Sequence, residues 1–159
     1  MATQLNPLGE HSKRNIQNIS KKKFGIVISE WNDQVTDALY EGARETLLAY
    51  GAKDKNIKVS YVPGSFELTL GAQFEAQKSD IHAVICLGCV IQGETKHFDF
   101  ICDAVANGIT NVGLKYNKPV VFGVLTTNNL QQALDRAGGK HGNKGEEAAV
   151  TAIKMLGLS

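Results

Sequence analysis

The sequence predicts an α/β fold, a three-layer αβα sandwich in which a four-stranded parallel sheet is covered by helices on both faces. Four short segments are apolar over most of their length and rich in β-branched residues, as strands buried on both faces are. A segment with apolar residues at helical spacing follows each of them. Strands that alternate with helices build a parallel sheet through right-handed crossovers.

The first two units lie in the amino-terminal half. The first strand, KFGIVIS at 23–29, precedes a helix that ends at Gly51 and whose apolar stripe consists of Val35, Leu39, Ala43, Leu47 and Tyr50. The second strand is IKVSYV at 57–62, and Pro63 and Gly64 stop it. The next helix is marked by Phe66, Leu70 and Phe74. Both units therefore read as a strand followed by an amphipathic helix.

The second half repeats the pattern and adds one helix. The third strand, HAVICLGCVI at 82–91, leads into a helix with apolar positions at Phe98, Ile101, Cys102, Val105, Ile109 and Val112. The fourth strand, PVVFGVLTT at 119–127, leads into a helix with Leu130, Ala133, Leu134 and Ala137, which the glycines at 138–139 end. A fifth helix carries Ala149, Ile153 and Leu156. Helices are thus available for both faces of the sheet.

Composition limits the classes of partner. The chain has 159 residues, 43% of them hydrophobic and 21% charged, which suits one globular domain. A net charge of +1 gives no general attraction to nucleic acid or to an anionic membrane, and apolar runs are too short to span a bilayer. The first 22 residues lack the apolar core of a signal peptide. We expect a cytoplasmic protein with an N-terminal arm at 1–22 and a single domain at 23–159.

Three cysteines, Cys86, Cys89 and Cys102, raise the question of redox or metal chemistry. Cys86 and Cys89 form a C-x-x-C, but they lie within an apolar strand, which would direct them to opposite faces of the sheet. A redox C-x-x-C normally begins a helix, and no second pair completes a zinc site. The pattern therefore favours packed small side chains over a disulfide, a redox site or a metal site.

The carboxyl ends of the strands are where a parallel sheet binds ligands. All four ends are polar and each opens a helix, at 29–33, 63–67, 92–97 and 126–129. Helix capping alone would account for any one of five residues there: Asn32, Asp33, Ser65, Thr95 and Asn128. Trp31 either packs under a neighbouring loop or faces the cleft, and the sequence favours neither placement.

His97 is the strongest candidate for chemistry. It falls in the first turn of a helix beside the expected cleft, and an imidazole can accept and return protons near neutral pH. The preceding turn at 93–95 could hold an anion with its backbone N–H groups. A proton carrier next to an anion site predicts a small phosphorylated or carboxylated substrate.

The glycine-rich segment AGGKHGNKGEE at 137–147 is not a nucleotide loop. It joins two helices rather than following a strand, and it lacks the Ser or Thr that closes a Walker A motif. No G-x-G-x-x-G follows a strand either, so a nucleotide cofactor is unsupported. Judged singly, Arg136 and Lys144 beside this segment would be surface charges.

Five segments together resemble the lumazine synthase family in order and spacing: WND, VPGSFEL, GCVIQGETKHFDF, FGVLTT and RAGGKHGNKGEEAA. The resemblance covers residues 23 to 157. It implies a flavodoxin-like sandwich that condenses 5-amino-6-(D-ribitylamino)uracil with 3,4-dihydroxy-2-butanone 4-phosphate. The implied products are 6,7-dimethyl-8-ribityllumazine, phosphate and water, and neither a cofactor nor a metal is implied.

The resemblance also implies roles for ten residues on the strand ends. Trp31 would stack on the pyrimidine, where the family commonly has Phe. The ribityl chain would bind to Ser65, Phe66 and Glu67. The pyrimidine would bind to the backbone of Cys89, Val90 and Ile91. The phosphate would bind to Glu94 and Thr95, and His97 would be the general acid and base.

Three further residues would reach the site from a neighbouring subunit: Phe122, Arg136 and Lys144, with Arg136 on the phosphate. The resemblance thus implies a homopentamer, in some members a shell of sixty subunits, with riboflavin synthase as a candidate enclosed partner and the N-terminal arm pairing with a neighbour's sheet. Two other functions stay open: an inactive flavin- or lumazine-binding carrier, and a purely structural shell protein. A carrier would not need the phosphate residues, and a shell protein would need neither His97 nor Arg136.

Overall fold

The structure, a computed structural model, describes residues 16–158. Four parallel strands form one sheet in the order β2-β1-β3-β4: β1 (Phe24–Ser29), β2 (Ile57–Val62), β3 (Ala83–Ile91) and β4 (Val120–Thr127). The helices are α1 (Asp33–Ala49), α2 (Leu68–Ala76), α3 (His97–Tyr116), α4 (Leu130–Leu134) and α5 (Lys144–Leu156). Short 3₁₀ turns cover Asp54–Asn56 and Ser65–Glu67. The predicted four-stranded parallel sheet is confirmed, and every strand lies within a residue of its expected bounds.

Two apolar clusters, one on each face of the sheet, make the three layers. One cluster joins alternate residues of β1 and β3 to α1 and α5, as Ile26, Leu39, Ile85 and Ile153 illustrate. The other joins the intervening strand residues to α2 and α3. All of β1 is buried, and so is β3 except at its last two residues. This burial on both faces explains why the inner strands are continuously apolar in sequence.

Strands β2 and β4 form the two edges of the sheet among the described residues, and both are partly exposed. Val59 and Tyr61 of β2 and Phe122 of β4 present large side chains to solvent. An exposed edge strand offers unpaired backbone groups to another chain. Both edges are therefore surfaces at which a second molecule could add.

Two helical predictions are wrong in detail. Phe66, Leu70 and Phe74 lie on the solvent side, while α2 buries Leu68, Gly71, Ala72, Glu75 and Ala76. The small residues there let α2 approach the sheet closely, because a Cβ on Gly71 would lie 2.7 Å from Val27 Cγ1. The fourth helix ends at Leu134 rather than at Ala137.

Ala137 belongs instead to a hairpin, in which β5 (Ala137–Gly139) pairs antiparallel with β6 (Gly142–Asn143). Gly138 and Gly142 have φ of 105° and 75°, which favours glycine and turns the chain out of the helix. Asn143 then caps α5 by accepting from Gly145 N–H at 2.8 Å, and its Nδ2 donates to Ala38 O at 2.9 Å. Arg136 accordingly lies two residues beyond α4, not within a helix.

The described part of the predicted N-terminal arm, 16–22, packs on this chain. Ile19 is fully buried in the cluster under α1, and Asn56 Nδ2 donates to Ser20 O at 3.4 Å. Residues 1–15, which carry the rest of the predicted arm, lie outside the described residues. Within 16–158 no helix is both long and apolar enough to cross a membrane.

Candidate active site

The strand order places a crevice between the carboxyl ends of β1 and β3. The chain leaves β1 for β2 on one side and comes back to β3 on the other, so the connections from these two strands diverge. Ligands of open α/β sheets bind at such a switch point. The ladder between β1 and β3 ends at Ile28 and Leu87, whereas β3 continues to Ile91 paired to β4 alone. The last four residues of β3 therefore extend beyond β1 along this crevice.

The turn after β1 forms the first wall. Glu30 N–H donates to Val62 O at 2.8 Å and Trp31 N–H donates to Pro63 O at 3.2 Å, which ties the turn to the end of β2. Trp31 has 74% of its surface exposed, so it does not pack under a loop. Asn32 has φ 65° and ψ 47°, and its Nδ2 donates to Cys89 O at 2.9 Å. The indole is thus free for a ligand, while the turn beside it is fixed to both neighbouring strands.

The 3₁₀ turn after β2 forms the second wall. Ser65 is buried, yet its Oγ has no hydrogen-bond partner within the described chain. This oxygen lies over β3, only 2.8 Å from where a Cβ on Gly88 would be. Phe66 and Glu67 beside it are exposed. A buried hydroxyl without a partner is costly, and a polar ligand group that reached it would satisfy it.

The segment after β3 closes the crevice. Gln92 N–H donates to Thr127 O at 2.8 Å, which holds the start of the segment to β4. Glu94, Thr95 and His97 are exposed, and His97 N–H donates to Thr95 Oγ1 at 3.4 Å as α3 begins. The ring of His97 therefore stands at a helix amino terminus, where free backbone N–H groups favour an anion.

The remaining three predicted residues lie elsewhere. Phe122, Arg136 and Lys144 line a groove of about 930 Å³ along the open edge of β4, between α3 and α5. Arg136 Nη1 donates to Gln132 O at 2.9 Å, and Lys144 Nζ pairs with Glu147 Oε1 at 2.6 Å. Phe122 is 42% exposed in this groove. This groove thus follows the outer edge of the sheet and does not include the carboxyl ends of β1, β2 and β3.

The structure therefore divides the predicted site residues into two sets. The three in the groove are the edge residues. The cleft residues line the ends of β1, β2 and β3: Trp31, Ser65, Phe66, Glu67, Cys89, Val90, Ile91, Glu94, Thr95 and His97. Each set occupies its own surface of the chain.

The cysteines behave as packed side chains. Cys86 belongs to the cluster on the α2 and α3 face and Cys89 to the cluster on the α1 and α5 face, as predicted for a C-x-x-C in a strand. Burial raises the pKa of the Cys86 thiol to about 12 and that of Cys89 to about 11, so both stay protonated near neutral pH. Within 16–158, no group of three His, Cys, Asp or Glu residues is arranged to hold a metal ion.

Two contributors were missed from the sequence. Asn32 was seen only as a helix cap, but its side chain makes no cap bond and crosses to β3 instead. Glu147 was not singled out, although it holds Lys144 in the groove. The i, i+3 spacing of Lys144 and Glu147 on one helix could have revealed the second contact. The bond from Asn32 to Cys89 joins residues 57 positions apart, so no local sequence pattern could have predicted it.

Known proteins resemble this chain over most or all of its length. The family model described as 6,7-dimethyl-8-ribityllumazine synthase matches residues 21–159. A 6,7-dimethyl-8-ribityllumazine synthase of Cytophaga hutchinsonii is 66% identical over 141 residues, which cover 89% of this chain and 89% of the relative. One of Parabacteroides distasonis is 51% identical over 159 residues, 100% of this chain and 99% of the relative. One of Flavobacterium johnsoniae is 52% identical over 155 residues, 98% of this chain and 82% of the relative. On this evidence the chain, with its flavodoxin-like sandwich, belongs to the 6,7-dimethyl-8-ribityllumazine synthase family and is a transferase.

Proposed function

We propose that this enzyme condenses 5-amino-6-(D-ribitylamino)uracil with 3,4-dihydroxy-2-butanone 4-phosphate. The amine of the pyrimidine adds to the ketone and water leaves as the imine forms. Phosphate is then eliminated, and attack of the ribityl-bearing nitrogen with loss of a second water closes the ring. The products are 6,7-dimethyl-8-ribityllumazine, inorganic phosphate and water, and the step lies in riboflavin biosynthesis.

The observation that carries the proposal is the family match over residues 21–159. The geometry adds support at the crevice between β1 and β3, where an exposed indole, a buried hydroxyl without a partner and a histidine at a helix amino terminus lie on three walls. An aromatic face, a hydroxyl and an anion-favouring turn suit a pyrimidine, a polyol chain and a phosphate.

Most of the proposed rate acceleration is orientation. Two reactants held in one crevice react as if at very high effective concentration, without covalent catalysis by the protein. Trp31 would hold the pyrimidine plane, and Glu94 and Thr95 would fix the phosphate. His97 between them would take the proton released on imine formation and return one where water or phosphate leaves.

The edge residues belong in this proposal to the site of a neighbouring subunit. Phe122 and Arg136 line the outer edge of β4, while the cleft residues lie on β1, β2 and β3. A second copy seated on that edge would bring its own crevice to the groove. This arrangement supports a closed ring such as a homopentamer. The assembly of such rings into a sixty-subunit shell that could enclose riboflavin synthase is proposed from the family resemblance alone.

A direct assay tests the reaction. The purified protein is mixed with both substrates, and the fluorescent lumazine is followed beside a protein-free mixture. Formation well above the spontaneous rate is expected. A rate equal to that of the protein-free mixture would refute the proposed reaction.

Arg136→Ala tests the phosphate role. The KM for the phosphate substrate should rise about 10-fold or more, because a charge-assisted contact is lost, while the KM for the pyrimidine stays near its original value. Arg44→Ala is the matched control, since Arg44 of α1 pairs with Asp54 of the following 3₁₀ turn and lies outside the groove. Loss of pyrimidine affinity alone would contradict the assignment.

Mixing two impaired variants tests the shared site. His97→Ala and Arg136→Ala subunits are refolded together in equal amounts and assayed. If each site takes His97 from one copy and Arg136 from its neighbour, about a quarter of the sites regain both residues and activity returns. If both residues came from one chain, every site would stay defective and the mixture would be no better than the separate variants.

A further inference from the structure

Asn32 has an unusual backbone conformation at the entrance to the crevice. Its φ of 65° and ψ of 47° lie in the left-handed region. Among residues 16–158, Asn117 is the only other residue apart from glycine with a positive φ. Asparagine tolerates this region better than other side chains, but it remains less favourable than the ordinary helical or extended regions. Such conformations persist where the surrounding structure requires them, and they concentrate at functional sites.

The side chain of Asn32 is also not used in the ordinary way for its position. It directly precedes α1, where an asparagine normally accepts a bond from the first turn of the helix. Here the side chain makes no cap bond, and only its backbone carbonyl accepts, from Val35 N–H at 2.9 Å and Thr36 N–H at 3.1 Å. Its Nδ2 donates instead to Cys89 O at 2.9 Å. The side chain of Asn32 therefore does not cap α1 and instead bonds the turn to β3.

That bond crosses the switch point. It joins the turn that carries Trp31 to the part of β3 that extends past β1. Backbone groups alternate along a strand, so those of Cys89 and Ile91 face the β1 side and those of Val90 face β4. Because Asn32 occupies the carbonyl of Cys89, Ile91 is the next residue of β3 whose backbone groups face the crevice.

We propose that Asn32 is a positioning residue for the pyrimidine. Its amide fixes the distance between the Trp31 ring and the β3 backbone, so that a planar heterocycle can stack on the indole while its edge bonds to Ile91. The inference deepens the proposed function and rests on it. Asn32 itself does not touch the reacting atoms; it acts through Trp31 and through β3.

The test uses two substitutions that keep the backbone conformation. Asn32→Gly retains the left-handed turn and removes the amide. Asn32→Asp retains the size and places a carboxylate oxygen against the carbonyl oxygen of Cys89. Asn117→Gly is the matched control, because Asn117 is left-handed at the carboxyl end of α3, the opposite end of that helix from His97 and the crevice. Trp31 is the single tryptophan of the chain, so the tryptophan fluorescence comes only from the residue next to Asn32 and reports ligand binding there.

Each protein is titrated with 5-amino-6-(D-ribitylamino)uracil while the quenching of Trp31 is followed, and both KM values are measured. Asn32→Gly should weaken pyrimidine affinity about 5- to 10-fold, and Asn32→Asp should weaken it more, with the KM for the phosphate substrate unchanged. Asn117→Gly should leave both constants unchanged. Tm is recorded for all four proteins.

Wild-type affinity for the pyrimidine in both Asn32 variants would overturn the proposal. The proposal would also be overturned if the Asn32 variants raised both KM values equally and lost as much Tm as Asn117→Gly. That result would mean that the substitutions only destabilise the fold. An inactive wild type that still binds the pyrimidine would refute the proposed reaction but not the positioning role, which the titration tests by itself.

Discussion

The two ends of the sheet use their polar groups differently. At the amino ends of the strands, Lys23 N–H donates to His82 Nδ1 at 3.1 Å, His82 N–H donates to Lys23 O at 2.9 Å, and Lys23 Nζ pairs with Asp80 at 2.9 Å. At the carboxyl ends, Ser65 Oγ is buried without a partner in the described chain, and Trp31 is exposed. The three amino-end residues thus bond to one another, whereas Ser65 and Trp31 leave side-chain groups for a ligand. Glu75 Oε2, which lies against Gly25 of β1, is the exception at the amino end, because it is buried without a partner in the described chain.

This difference separates groups that stabilise the fold from groups that remain available to bind a ligand. A buried polar group that finds a partner within the chain stabilises the fold, and one that does not lowers stability until a ligand satisfies it. Substitutions at the amino ends should therefore change stability and leave the reaction alone. Substitutions at the carboxyl ends should impair the reaction and should leave stability unchanged or raise it.

The largest effect is expected for His97→Ala. We expect kcat to fall about 100-fold, because a positioned proton carrier contributes at least that much, and activity to persist because orientation of the two substrates remains. Tm should not change, since the side chain is exposed. Steady-state kinetics and thermal unfolding measure both.

The control is His82→Asn at the opposite end of the sheet, which should leave kcat unchanged. If His97→Ala retained the wild-type kcat, His97 would have no part in the proton transfers, and the contrast between the two ends would lose its main support.

An intermediate effect is expected for Ser65→Ala. Removal of a buried hydroxyl without a partner should raise the free energy of unfolding by about 1 kcal/mol, while the KM for the pyrimidine rises because the proposed ribityl contact is lost. Denaturant titration and kinetics measure the two changes.

Ser60→Ala is the matched control. Ser60 Oγ donates to Glu75 Oε1 at 3.0 Å, so the same substitution there should lower the free energy of unfolding by about 1 kcal/mol and leave KM alone. Destabilisation by Ser65→Ala without any change in KM would show that Ser65 serves the fold.

The strands were predictable because local composition determines them. β2 occupies 57–62 as predicted, since Pro63 and Gly64 end it wherever the rest of the chain lies. The buried side of α2 was not predictable in this way. Phe66, Leu70 and Phe74 recur every four residues, but Leu68, Ala72 and Ala76 do as well, and only packing against the sheet and α3 decides which set is buried.

The candidate site was predictable as a location rather than as a set of contacts. Fold logic places Trp31 and His97 at strand ends, and the family resemblance supplies their roles. The bond from Asn32 to Cys89 depends on the left-handed turn and on how far β3 passes β1. Both are properties of the assembled sheet, so a pattern within either segment does not contain them.

The smallest effect is expected at the amino ends, in the pH dependence of stability. Burial lowers the pKa of His82 below its ordinary value of 6.5, and the positive charges of Lys22 and Lys118 lower it further, while bonds to the backbone of Asp80 and Lys23 oppose the shift. As pH falls below 6.5 the unfolded chain takes up a proton that the folded chain does not, so stability is lost from that pH down through the lowered value.

His82→Asn isolates this contribution. An asparagine Oδ1 can stand where Nδ1 accepts from Lys23 N–H, but it does not titrate. The Tm of the wild type should fall between pH 7.5 and 5.5 by a little more than that of the variant. The contributions of the remaining histidines cancel in this difference, because both proteins carry them. Parallel Tm curves would mean that His82 does not couple protonation to stability. A wild type that gained stability relative to the variant on acidification would reverse the sign, because the folded chain would then bind the proton more tightly than the unfolded one.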